Sequence, residues 1–165
     1  ETGTKTEEAT ETIAALSDIP KQLIKELALS DVANIMSKVA ELQQKQDTKL
    51  KRIIEINDIE YGFHPDLDSI SLGEYADIEQ FIKNGIESNL PELMAVLYRP
   101  VKEKKNDIYI IDAYDGDIRL RTEEMKQMSA QQVQSALVFF YTLGKALSEI
   151  LPLYLMEKLK ETKTQ

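Results

Sequence analysis

Histidine occurs once in this chain of 165 residues, at His64, and cysteine does not occur at all. A hydroxyl or thiol nucleophile of the common kind needs a histidine beside it, so His64 would have to serve any such pair. It sits before Pro65 in a connector, where a capping or surface role is the expected one. No Gly-x-Ser-x-Gly or similar nucleophile motif accompanies it. Metal ligands would have to be carboxylates. Asp112, Asp115, Asp117 and Glu123 are the best set, but Tyr114 and Gly116 fall where a calcium loop needs oxygen ligands. Asp115-Gly116-Asp117 reads instead as a turn ending a strand. A second acidic group is Asp66, Asp68, Glu74 and Asp77. Paired carboxylates divide into acid and base only when their surroundings separate their pKa values. Nothing in the sequence encloses these four, and Glu74 already has a part as the reciprocal residue of a capping box. Phosphate-binding glycine loops are absent, because the glycines are isolated. No catalytic residue, cofactor, metal or small-molecule substrate is therefore expected.

The bulk numbers agree with a binding role. Net charge is -9, which repels a phosphate backbone at long range. The basic clusters Lys49-Lys51-Arg52 and Lys102-Lys104-Lys105 lack interleaved aromatics, so a nucleic-acid partner is not expected. The hydrophobic share of 42% supports a core. Lack of cysteine favours an intracellular or particle-bound location. The apolar run from Ala136 to Leu159 is interrupted by Lys145, Glu149 and Glu157, so no membrane span is expected. The opening Glu1 to Thr12 is polar and holds no signal peptide. A chain that does not begin with Met is read as processed, trimmed or part of something longer.

Three segments organise these residues: a flexible tail over 1–17, a helical arm over 18–50 and an α+β domain over 51–165. In the arm, Asp18 and Pro20 suit a helix start, and Leu23, Leu27, Val32, Ile35, Met36, Val39 and Leu42 follow helical spacing. Ser30-Asp31 suggests a break between two short helices or a kink. Residues 51–56 and 59–64 predict a hairpin turning at Asn57-Asp58. Ser71-x-x-Glu74 is a capping box opening a helix that stops near Gly85. Asn89-Leu90-Pro91-Glu92 opens a second helix, closed by Pro100 and followed by a charged loop from Lys102 to Asn106. Residues 107–114 predict a third strand with apolar residues on both faces, hence a central one. Thr122 caps a short helix. Ser129 and Gln132 form another capping box for a helix over 130–160, which Pro152 should kink or split. The fold class is α+β: a small antiparallel three-stranded sheet packed on helices, with an N-terminal helical arm and a long C-terminal helix.

That last helix is apolar on several sides, so it must be covered on several sides. Phe139, Leu143, Leu147, Leu151, Tyr154 and Leu155 are its candidate protein-interaction residues.

One further pattern spans residues 56–147. Ile56-Asn57-Asp58-Ile59-Glu60-Tyr61 precedes Pro65-Asp66-Leu67-Asp68-Ser69-Ile70-Ser71-Leu72-Gly73-Glu74-Tyr75-Ala76-Asp77-Ile78. Leu97-Tyr98-Arg99-Pro100, Ile111-Asp112-Ala113-Tyr114 and Phe139-Phe140-Tyr141-Thr142-Leu143-Gly144 follow. This order resembles a group of small uncharacterised proteins from structural-gene regions of tailed phages, including crAss-like phages. The resemblance covers about residues 51–147, and Gly73-Glu74-Tyr75-x-Asp77 and Leu97-Tyr98-Arg99-Pro100 are its most specific pieces. It implies a structural or morphogenetic protein located in the virion or host cytoplasm. Its partners would be other phage structural proteins or further copies of itself; an assembly chaperone for a tail or head protein is the alternative. It carries no catalytic residues. In physical terms Arg99 could pair with Glu74 or Asp77.

Overall fold

The computed structural model describes residue 11 and residues 14–15, 20–44, 50–149 and 151–163. Asn57 and Asp58 adopt φ of 52° and 64°. Two consecutive positive φ values make a turn whose twist suits a tight hairpin, and both residue types tolerate that conformation. The turn joins β1 (Ile53–Ile56) to β2 (Ile59–Phe63), with Ile56 opposite Ile59. β3 (Tyr98–Lys105) and β4 (Ile108–Ile111) complete a sheet in the order β1-β2-β3-β4. Every pairing is antiparallel.

The sheet thus has four strands where the sequence predicted three. The missed one is β3, read as the end of a helix plus a charged loop. Pro100, which the sequence suggests as a helix stop, lies inside the strand opposite Tyr61. Its carbonyl accepts the Asp112 N–H at 3.1 Å. Its missing N–H falls beyond the end of β4, just before the bulge at Val101 and Glu103, one of the few places where a sheet tolerates proline. A second correction concerns the strand predicted over 107–114. It is central in the pattern of its side chains but stands at the edge of the sheet as β4.

Helices cover one sheet face. α1 (Lys21–Gln44) is a single helix running through Ser30-Asp31. A 3-10 turn at Leu67–Ser69 leads to α2 (Leu72–Asn84) and α3 (Leu90–Leu97), and α3 passes into β3 without a loop. α4 (Arg119–Met125) contains Thr122 rather than starting at it; its N-cap is Ile118. The long C-terminal helix is present as α5 (Ala130–Glu149) and α6 (Leu151–Lys163), on either side of Ile150, which lies outside the described residues; Pro152 lies within it. Both capping boxes form: Ser71 Oγ accepts the Glu74 N–H while Glu74 Oε2 accepts the Ser71 N–H. Ser129 and Gln132 make the same reciprocal pair.

α1 is not an arm. It packs along α5, α6 and the 3-10 turn. Ile24, Ala28, Val32, Ile35, Met36 and Val39 join one core with the sheet, α3 and α5. At its centre Phe63 meets Tyr98 at 5.3 Å between ring centroids and Phe139 edge-on at 5.7 Å. Residues 1–10, 12–13 and 16–17 of the predicted tail lie outside the described residues.

Candidate functional site

Five of the six residues expected to meet a partner are built into this core. Phe139, Leu143, Leu147, Leu151 and Leu155 are buried within the chain. The side chain of Tyr154 lies outside the described residues. The cover that the C-terminal helices require is supplied from inside by α1, whose own apolar stripe is buried in exchange. The stretch Ala130–Glu157 is, by length and composition alone, long and apolar enough to cross a membrane, a test that core helices of soluble proteins also pass.

The polar residues that the sequence singled out converge more than expected. The capping box fixes Glu74 at the start of α2. From there its Oε1 accepts an Nη1–H of Arg99 at 2.7 Å and lies 3.4 Å from His64 Nε2. His64, Glu74 and Arg99 are only 8%, 3% and 4% exposed. Of the capping and surface roles its connector suggested, His64 takes the capping one, and it is buried. Its Nδ1 accepts the Asp66 N–H at 3.2 Å, which leaves Nε2 as the ring nitrogen that donates toward Glu74. Its backbone N–H donates to the Leu97 carbonyl at 2.8 Å, tying the connector to the α3–β3 junction.

Arg99 is held through two of its three nitrogens. Nε donates to the Asp112 carbonyl at 2.6 Å, and Nη1 also donates to Val96 O at 2.8 Å. The guanidinium lies 5.5 Å from the centroid of the Tyr114 ring. The Tyr114 hydroxyl donates to Asp77 Oδ2. Burial, then the Asp77 carboxylate, push the Tyr114 hydroxyl well above its usual range. Burial opposes the charge on Glu74 most strongly. The bonds from His64, the Ser71 N–H and Arg99 together outweigh that opposition and hold its carboxyl at about 2. Such a carboxylate is a poor proton acceptor near neutral pH. One anion and one cation are enclosed and bonded to each other and to the surrounding chain. The arrangement braces α2, β3 and the 64–70 connector.

The other acidic candidates are spread out and locally satisfied. Asp112 lies 3.7 Å from Lys102, and Asp117 3.1 Å from Arg119. Glu123 is 2.6 Å from Lys126, and Asp115 accepts the Asp117 N–H. Asp68 accepts the Ser37 hydroxyl at 2.8 Å. Among the described residues no group of three or more acidic or histidine side chains is placed to hold a metal ion. A cleft of about 360 Å³ beside the sheet, lined by Leu50, Ile54, Met94, Tyr98, Ser129 and Gln131, contains none of the singled-out carboxylates.

Several large apolar side chains face outward, Leu120, Leu153 and Met156 among them, and two others share one strand at the sheet edge. Ile108 is 76% exposed and Ile110 54% exposed, while Tyr109 between them is buried. The Tyr109 ring lies across Gly62 of β2, so close that a Cβ there would sit 2.5 Å from Cε2. Its hydroxyl donates to the Phe63 carbonyl, two strands away. Sequence reasoning missed this edge, although the signal was present: apolar residues on both faces of 107–114.

No protein-family model, no curated protein and no solved structure matches this chain.

Proposed function

We propose that this chain is a non-enzymatic structural or packaged protein of a tailed-phage virion, at the neck or tail or inside the capsid, acting through protein–protein contacts. The observation that carries the contact role is the apolar edge strand. Ile108 and Ile110 present side chains to solvent from a strand whose outer edge has no partner among the described residues. Exposed apolar strand edges are templates for another chain, and natural proteins otherwise blunt them with charge or proline. The enclosed Glu74–Arg99 pair supports the same reading, since its shown bonds all hold the fold together.

The phage setting rests on the resemblance carried by Gly73-Glu74-Tyr75-x-Asp77 and Leu97-Tyr98-Arg99-Pro100. In the fold these two motifs meet. Glu74 of the first binds Arg99 of the second, and Pro100 sets the bulged entry to the β3–β4 hairpin. Partners in this reading are other particle proteins or further copies of the chain, in the virion or the host cytoplasm, without cofactor, nucleic acid or membrane. Mass spectrometry of purified mature particles tests it. Presence at a fixed copy number supports the structural role. Presence only in unfinished particles or free complexes favours a chaperone that holds a tail or head protein and leaves.

A further inference from the structure

We infer that β4 is the docking edge for a second copy of this chain, forming a symmetric dimer with an antiparallel β4–β4 junction at its centre. The inference rests on the protein-contact reading above but not on the phage setting.

The first ground is the mismatch between side-chain pattern and position. β4 reads Ile108-Tyr109-Ile110-Ile111, apolar on both faces, as strands buried inside a sheet do. It stands at an edge instead. Pairing with a second β4 makes it internal.

The second ground is register. Asn106 and Asp107 form the two-residue turn of the β3–β4 hairpin, with Lys105 opposite Ile108. The Asp112 N–H reaches back to Pro100 of β3. Residues 108, 110 and 112 therefore turn their backbone groups toward β3. Tyr109 and Ile111 turn theirs outward, since backbone direction alternates along an antiparallel strand. A two-fold axis through Ile110, perpendicular to the sheet, sets Tyr109 of each copy opposite Ile111 of the other. Each such couple exchanges two N–H···O bonds, so all the outward groups of these two residues are used. Ile110 then faces Ile110 of the second copy in a non-hydrogen-bonded pair, where side chains approach most closely. Ile108 lies diagonal to Ile110 of the second copy, and the four isoleucines form one band on a single face. An interface that pairs the same patch on both subunits closes on itself.

The third ground is charge. In this register Ile108 is opposite Asp112 of the second copy. Lys105, the β3 neighbour of Ile108, is on the same face with its side chain exposed. Its ammonium and the Asp112 carboxylate of the second copy flank Ile108, and symmetry repeats the pairing.

The edge is only four residues long, so the dimer buries less than the roughly 800 Å² per partner of a standard stable interface. Association is accordingly weak, with dissociation constants on the order of 10–100 μM. Sedimentation equilibrium of the full 165-residue chain from about 5 μM to 1 mM tests this range. The expected result is a mass rising from 18.8 kDa toward twice that value. Ile110→Lys, which places two ammonium groups together at the axis, should weaken association at least about tenfold and leave the circular dichroism spectrum unchanged. Leu153→Lys, at an exposed apolar position on α6, should leave association intact. A wild-type chain that stays monomeric throughout overturns the inference, as does a dimer insensitive to Ile110→Lys or abolished by Leu153→Lys. None of these outcomes bears on whether the protein is found in particles.

Discussion

Arg99 Nη1 lies 2.7 Å from Glu74 Oε1, with both side chains almost wholly removed from water. A pair enclosed in this way is costly to leave half-made, because the remaining charge keeps its desolvation penalty. Arg99→Ala strands Glu74 and also unpairs the Asp112 and Val96 carbonyls. The expected loss of unfolding free energy is about 3–5 kcal/mol, read by urea denaturation with circular dichroism. A loss below about 1 kcal/mol, the size of a surface pair, would contradict the enclosure.

The same carboxylate gives the protein an acid-sensitive stability. Its folded pKa of about 2 lies below the ordinary 4.5. Between those values the unfolded chain binds more protons, so stability rises with pH across that window. The contribution is fully present above about pH 4.5 and is lost as pH falls toward 2. It is on the order of 3 kcal/mol. Glu74→Gln should flatten this part of the stability curve relative to the wild type. Parallel curves for the two proteins between pH 2 and 5 would show that Glu74 is not held as described.

Gly62 leaves room for the Tyr109 ring, and a Cβ there would lie 2.5 Å from it. Gly62→Ala forces the ring off the sheet and loosens its bond to the Phe63 carbonyl. A destabilisation of about 1–3 kcal/mol is expected. In Tyr109→Ala, where of these close contacts only Ile111 Cγ2 at 2.8 Å remains, the same substitution should cost less. Additive effects would mean that the contact does not govern the choice of glycine.

Phe139 distinguishes an internal from an external role for α5. Its ring packs edge-on against Phe63 and Phe140. Phe139→Ala should cost about 3–5 kcal/mol in the isolated chain at low micromolar concentration, with no partner present. A stability within about 0.5 kcal/mol of wild type, as for an ordinary surface change, would return Phe139 to the surface.

Local signals carried much of the fold. Ser71 with Glu74 and Ser129 with Gln132 each act through neighbours within one turn, and each appears where the sequence placed it. The Arg99–Glu74 pair was legible as one of two options because the motifs holding them are short and rigid. What failed depended on distant neighbours. β3 is charged at Lys102, Glu103, Lys104 and Lys105 because its hairpin end is open to solvent, with Lys104 bound across the sheet to Glu60 at 2.9 Å. Charge there says exposure, and exposure was read as loop. α1 was read as an arm because its cover, α5 and α6, lies about a hundred residues downstream. The sequence suggests a capping or surface role for His64; the cap forms, but nothing within the connector shows the carboxylate that faces the ring.

The central claim is that the chain serves as a particle component through protein contacts. Its most direct test is quantitative mass spectrometry of density-purified mature particles of a tailed phage whose genome carries this sequence. The account predicts the protein at a constant copy number relative to the major capsid protein, retained through salt washes. Its absence from particles whose other structural proteins are all detected would contradict the claim.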